Sequence, residues 1–218
     1  MSILPSTRRC FLALALLILP VFLSGCWLFA ADERVRGKPI AAEYLGLEGK
    51  SVAIIVYTER TLTNEFPAAR EEISGHIARE MHQNMLKTRL LDPKEVIAWQ
   101  DETINWFGLS EKDLAKHFGV DRIVWIELLS YTARPNGAYG DLQGNIKATA
   151  KVFEADGSEN APIWRGEYDI SWPKDGPLDS NRSNELTVRK RLLSIFAERL
   201  VGCFYDHRSI DKPIRSME

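Results

Sequence analysis

Hydrophobic and polar positions change period several times along the chain, and each change predicts an element. Phe11 to Leu23 is a nearly unbroken apolar run behind Arg8 and Arg9, closing on Leu23-Ser24-Gly25-Cys26. A basic start, an apolar stretch and small residues at its end are the order of a secretory signal peptide, so residues 1–25 are not counted as fold. The run is too short for the roughly 20 helical residues that span a hydrocarbon core, which disfavours a transmembrane helix. Residues 26–49, from Cys26 onward, mix Ala, Gly, Pro and both charges without period and read as a tether, with a Tyr44-Leu45-Gly46-Leu47 patch able to dock on the folded domain.

The folded part is expected over residues 50–206. Val52-Ala53-Ile54-Ile55-Val56 is apolar at every position, the pattern of a central strand covered on both faces. Thr58 to Phe66 is polar and reads as a loop, after which Pro67 suits the first turn of a helix running to about Thr88. Ile73, Ile77, Met81 and Met85 recur every four residues on its apolar face. Val96 to Trp99, after the Asp92-Pro93 break, reads as a short second strand, and Ser110 to Phe118 as a short helix. Ser110 with Asp113 resembles a capping box, and Gly119 stands where a helix end needs a left-handed residue. Arg122 to Tyr131 is a third strand, and the intervals are long enough for helical crossovers between parallel strands.

Beyond a loop marked by Pro135, Gly137, Gly140 and Gly144 the period becomes two, with Ile146, Ala148, Ala150 and Val152 on one face and Lys147, Thr149 and Lys151 on the other. Asp156-Gly157 begins the connection to a second run, Ile163 to Trp172, and the two predict an antiparallel hairpin. Asn181 to about Phe204 repeats Val188, Leu192, Ile195, Phe196, Leu200 and Cys203 on one stripe and predicts a final helix; residues 207–218 form a polar tail. The fold class is α/β: a single domain with a mixed sheet of about five strands flanked by helices, in the order β-α-β-α-β-β-β-α.

Cys26 changes this picture. Small residues at Ser24 and Gly25 and a thiol at the end of the apolar run match the bacterial lipobox, in which the cysteine receives a diacylglycerol before cleavage. Acyl chains there hold the mature chain to a membrane without spanning it. Thr7-Arg8-Arg9-Cys10-Phe11-Leu12 also resembles a twin-arginine signal, so the export route stays open. Trp27 follows the cysteine in place of the Asp that retains some lipoproteins at the inner membrane, which prefers the outer membrane on the periplasmic side.

Composition narrows the function. Cleavage removes 25 of the 218 residues, a remainder of ordinary single-domain size. Basic and acidic side chains number 28 and 30 over the full chain, a near balance that gives no footprint for nucleic acid. Of the three cysteines, Cys10 leaves with the signal peptide and Cys26 is acylated, so Cys203 has no intrachain partner and reads as a buried small hydrophobe. No nucleophile elbow, phosphate loop or dinucleotide fingerprint occurs, and no enzyme, cofactor or metal is expected. His76 and His82, six apart on one helix, fall on different faces; Glu72, His76 and Glu80 share a face at spacings of four, as solvated helix pairs also do. His117 ends a helix, where a cation suits the dipole. The better lead is aromatic: Trp106, Phe107, Tyr139 and Trp172 lie outside the strongest core patterns, whereas Trp99, Trp125 and Trp164 sit on predicted strands.

The order of elements behind a lipobox resembles the superfamily of envelope lipoproteins that includes the curli secretion channel protein, the lipoprotein activators of penicillin-binding proteins and the TolB amino-terminal domain. The likeness covers about Lys50 to Phe204. It is carried by the Val52–Tyr57 strand, by Leu114-Ala115 and Gly119-Val120-Asp121 leading into Ile123-Val124-Trp125, and by Asp156-Gly157 with Trp164 after it. Members bind, activate or form pores, and the resemblance implies that class here. No pair of alternating segments of about ten residues is left over for a membrane hairpin, which disfavours a pore. The expected role is therefore a membrane-anchored, non-catalytic binding, assembly or activator module for an envelope protein, with homo-oligomerisation open. The alternatives are a metal-dependent envelope hydrolase built on His76 with Glu72 or Glu80, and a lipid or small-ligand carrier accessory to a transporter.

Overall fold

The computed structural model describes residues 37–132, 142–156, 161–178 and 184–209. Cys26 and Tyr139 lie outside the described residues. Two units are distinguished, and the smaller is a ribbon in which β1 (Lys38–Ile40) pairs antiparallel with β7 (His207–Ser209), Ile40 opposite His207.

The larger unit, residues 42–205, is the α/β domain. Its elements are β2 (Ser51–Thr58), α1 (Arg60–Glu65), α2 (Ala69–Asn84), β3 (Arg89–Leu90), α3 (Pro93–Glu102), α4 (Glu111–Phe118), β4 (Arg122–Thr132), β5 (Gly144–Glu154), β6 (Trp164–Trp172) and α5 (Glu185–Gly202). One mixed sheet runs in the order β3-β2-β4-β5-β6. β3 and β4 both pair parallel to β2, while β4, β5 and β6 are successively antiparallel. This is the expected mixed five-stranded sheet with its carboxy-terminal hairpin. Among the described residues no helix is long and apolar enough to cross a membrane.

Alternation along the strands sorts the side chains onto two faces. Val52, Ile54 and Val56 share one face with Val124, Ile126, Leu128, Ile146, Ala148, Ala150 and Val152, and α2 and α5 cover it with Ile73, Ile77, Met81, Leu192, Phe196 and Leu200. Aromatic contacts knit this larger core, among them the rings of Tyr168 and Phe196 5.3 Å apart, Trp164 and Phe204 4.8 Å, and Tyr44 and Phe204 6.4 Å. Leu47 is buried here too, and the backbone N–H groups of Glu43 and Tyr44 both donate to the Cys203 carbonyl, so the Tyr44–Leu47 patch packs within the domain. Among the described residues the opposite face is covered over β2, β4 and the Phe153 end of β5, where Ala53, Ile55, Ile123 and Phe153 meet Val96 of α3 and Leu114 and Ala115 of α4.

The structure corrects several local expectations. Val96 to Trp99 is not a strand but the middle of α3: Asp92 caps that helix by accepting from the Lys94 N–H at 2.9 Å, and Pro93 occupies its first turn. An Asp-Pro read as a break is a helix start. The second strand lies earlier, at Arg89–Leu90, too short to carry a period. Trp99 is therefore a half-buried helical residue, its ring 4.6 Å from that of the exposed His117 and tilted 31° to it. Thr58 to Phe66 is not wholly loop, since it contains α1, and α2 starts at Ala69 and ends at Asn84. α4 follows expectation, with the Asp113 N–H donating to Ser110 Oγ and Gly119 left-handed at φ 63°.

One irregularity has a large effect on the sheet. Between Leu128 and Ser130 the β4–β5 register slips by one residue, so Leu129 is the extra residue of a bulge. Strict alternation would send Tyr131 to the face of Trp125 and Glu127. The bulge returns it to the larger core, where it is buried opposite Ile146 with its ring 5.0 Å from Phe66, and leaves Leu129 exposed.

Candidate functional site

The loop between α3 and α4 is fixed at both ends. At the α3 end the Thr103 N–H donates to the Trp99 carbonyl at 2.9 Å, and Ser110 caps α4. Between them Asn105 takes a left-handed φ of 61°, a conformation Asn tolerates better than most side chains, and a single 3-10 turn follows over Trp106–Gly108. The Gly108 and Leu109 N–H groups donate back to Asn105 and Trp106 at 2.9 and 3.1 Å.

This turn sends consecutive side chains in opposite directions. Trp106 is 8% exposed and inserts beside the sheet, its ring 5.8 Å from Trp125 and 6.2 Å from Tyr57. Tyr57 stacks on Trp125 at 6.1 Å and meets Phe107 at the same distance. Phe107 is 55% exposed, Ile104 89% and Leu109 42%. Aromatic pairs at such separations contribute about 0.5–1.5 kcal/mol each beyond the area they bury, so the cluster holds the loop stiffly. The result is an apolar tip on a fixed backbone at the carboxy-terminal end of β2. Beyond Tyr57 on the same face come Glu127 and exposed Leu129, and then a charged surface where Lys151 Nζ lies 3.6 Å from Glu127 and Lys147 Nζ 3.0 Å from Asp169.

The four aromatic candidates thus separate. Trp106 and Phe107 come together, although Trp106 belongs to the core rather than lying outside it. Trp172 is the last residue of β6, at the end of the run that predicted the strand, and is half-buried against Leu142, Val188 and Leu178. Tyr57, Trp125, Ile104 and Leu109 join the site without having been candidates on sequence. Their signal is nonetheless present: Tyr57 continues the Ala53, Ile55 alternation, and Ile104 and Leu109 flank Trp106-Phe107 in an otherwise polar interval.

The alternative site, around His76, is a groove of about 950 Å³ between α2 and the start of α3, lined by Glu72, His76, Arg79, His82, Asp92 and Lys94 among others. Burial, aided by Arg79, holds the His76 imidazole below its usual pKa. Both carboxylate oxygens of Glu72 accept from Arg189 Nη2, at 2.7 and 2.6 Å, and Glu80 accepts from Asn84 Nδ2 at 2.8 Å. The face shared by Glu72, His76 and Glu80 is real, but its two carboxylates have other partners. Among the described residues no group of three or more His, Cys, Asp or Glu side chains is placed to hold a metal ion. Cys203 is half-buried, its thiol donates to the Arg199 carbonyl at 3.4 Å, and burial pushes its pKa up.

No protein-family model matches the chain, and no curated protein matches it. Solved structures similar in chain path include the PelC dodecamer from Paraburkholderia phytofirmans, at 11% identity and TM-score 0.46, covering 77% of this chain and 95% of that one. Lipoprotein GNA1162 from Neisseria meningitidis is similar at 13% identity and TM-score 0.42, covering 70% of this chain and 98% of that one. A minor lipoprotein from Acinetobacter baumannii is similar at 10% identity and TM-score 0.35, covering 71% and 89%. These neighbours include bacterial lipoproteins. At identities and TM-scores this low the likeness says nothing of function.

Proposed function

We propose that the chain is a lipid-anchored, non-catalytic binding module of the bacterial envelope that engages a protein partner through the Ile104–Leu109 loop. The observation that carries the reading is the division of labour in that loop: Trp106 is buried as an anchor while Ile104, Phe107 and Leu109 are held outward. An apolar tip on a stiff backbone loses little conformational entropy on binding, the property that makes rigid aromatic side chains effective contacts. The lipobox ending at Cys26 supports anchoring on the periplasmic side, with the outer membrane preferred, and the resemblance to envelope activator lipoproteins supports a partner within the envelope. The two oxygens of Glu72 engaged by Arg189 speak for a binding role over hydrolysis at His76.

The test uses the full chain expressed in a bacterial host. Cys26→Ser is expected to move the protein from the membrane fraction to the soluble one. Crosslinking in the envelope, with subsequent recovery of the chain, is expected to capture a partner that the Ile104→Ser, Phe107→Ser double variant loses while remaining folded and anchored. Equal recovery by the double variant would remove the loop from the proposal, and stoichiometric zinc in the purified chain would favour the hydrolase instead.

A further inference from the structure

The two edges of the sheet are treated differently. At the β3 edge the strand has only two residues, and beyond it α3 closes the side of β2: Gln100, 4% exposed, donates from Nε2 to the Val56 carbonyl at 3.3 Å. At the other edge β6 is nine residues long and pairs with β5 alone, and among the described residues nothing is paired to its outer side. A long open edge is a template for another strand, and natural sheets usually shorten, cover or charge such edges.

The charges on β6 form a pattern. Arg165, Glu167 and Asp169 share the open face of the sheet, and Trp164, Gly166, Tyr168 and Ile170 the face under α5. Asp169 is matched within the chain by Lys147, directly opposite on β5. Among the described residues Arg165 has no such match, since the residue opposite it is Lys151, a like charge that disfavours the pairing.

From this we infer that β6 is a dimerisation edge that pairs antiparallel with β6 of a second copy of this chain, about a two-fold axis at Glu167. In that register Arg165 faces the partner's Asp169 twice over, supplying the carboxylate that Arg165 lacks and extending the Lys147–Asp169 pair into a network. On the other face Trp164 stands opposite the partner's Ile170 and Gly166 opposite the partner's Tyr168, with the Trp164 ring and the Tyr168 hydroxyl of each chain already packed over its own Gly166. Residues 164–170 all take part. Moving the axis to Gly166 also pairs Arg165 with an acidic residue, the partner's Glu167, but shortens the paired stretch to 164–168 and sets Pro162, which has no N–H, opposite Ile170. Moving it to Tyr168 places Glu167 against Asp169. The Glu167 axis has one defect, the meeting of Glu167 with its own copy, which opposes the pair and keeps the edge from associating indiscriminately. Such an isologous contact closes on itself as a dimer.

The test is the oligomeric state of the full chain in detergent, by analytical ultracentrifugation. The wild type is expected to dimerise with concentration. Arg165→Asp and Asp169→Arg are each expected to raise the dimer Kd about ten-fold, the combination of both to return it to within about two-fold of wild type, and Glu167→Gln to lower it. Independently of these charges, Glu167→Cys is expected to form a disulfide-linked dimer on mild oxidation and Ser171→Cys none, since both variants retain Cys203 and differ only in distance from the axis. A chain that stays monomeric, a charge exchange that restores nothing, or linking as strong at Ser171 as at Glu167 would each overturn the inference.

Discussion

The two faces of the sheet are built from the same strands and end differently. One is closed over β2, β4, β5 and β6 by α2 and α5. The other is closed by α3 and α4 over β2 and β4 and left open over most of β5 and β6. The difference begins in the strands, because β5 alternates Ile146, Ala148, Ala150 and Val152 with Asn145, Lys147, Thr149 and Lys151, and a face carrying the second set needs no cover. The half-covered face consequently has a boundary, and the aromatic cluster of Tyr57, Trp106, Phe107 and Trp125 lies along it. The proposed contact lies there because a boundary can combine a buried anchor with an exposed neighbour, which neither the closed face nor the open one provides.

The largest effect tests the closed face. Phe196 is fully buried between α5 and the sheet with its ring edge-on to Tyr168, and Phe196→Ala is expected to destabilise the domain by about 3–5 kcal/mol in chemical denaturation. A loss under about 1 kcal/mol would mean that α5 does not hold that face. At the boundary, Trp106→Ala is expected to cost about 3 kcal/mol, through a cavity beside Trp125, and to weaken partner capture as the loop loosens. Phe107→Ala is expected to leave stability within about 1 kcal/mol and to weaken capture as much. If both residues affect stability equally, the tip is core and the division between anchor and contact is lost.

How much of this is legible in the sequence depends on length and period. The Val52–Val56 run, the four-residue recurrence from Ile73 to Met85 and the alternation in β5 each extend over enough residues to fix an element and its buried side. β3 has two residues and no period, so the apolar cluster at Val96–Trp99 reads as the strand although Asp92-Pro93 carries the chemistry of a helix start. The bulge at Leu129 is invisible because Leu128-Leu129 reads equally well in either register, and with it goes the inward turn of Tyr131. Trp106 and Phe107 are legible as a pair but not as opposites. What separates them is the left-handed Asn105, whose residue type permits that turn without requiring it.

The amino-terminal ends of β2 and β4, opposite the aromatic loop, are tied by a compact set of bonds. Asp121 Oδ2 accepts from the Ser51 N–H at 2.8 Å and from Ser51 Oγ at 2.7 Å, and these bonds hold the Asp121 carboxyl below the ordinary value of 3.8. A depressed carboxylate pKa means that the unfolded chain binds protons more readily than the folded one. The contribution is therefore present above about pH 4 and is lost as pH falls through the folded value. Ser51→Ala, assayed by urea denaturation between pH 6 and pH 3, is expected to lower stability at pH 6 and to flatten the decline toward pH 3. An unchanged slope would assign acid sensitivity to other carboxylates. The effect is smaller than those above because Asp121 is only partly buried and solvent screens it.

The finest test compares neighbours on one strand. Thr149 and Ala150 are adjacent on β5, paired to Glu127 and Ile126 on β4, and point to opposite faces. Thr149→Val keeps the branched shape on the open face and gives up a bond to Glu127 Oε2 that is already 3.5 Å long, so stability should move by less than about 0.5 kcal/mol. Ala150→Val adds two methyl groups on the closed face, where Ala150 is fully buried, and overpacking there is expected to cost about 1–3 kcal/mol. The introduced residue is Val in both cases, but only Ala150→Val adds volume, so the pair asks whether the closed face lacks room for two methyl groups and whether the open face is indifferent to loss of a hydroxyl. If Thr149→Val also destabilised by more than about 1 kcal/mol, the Thr149–Glu127 bond would be a structural tie of the open face rather than a marginal contact.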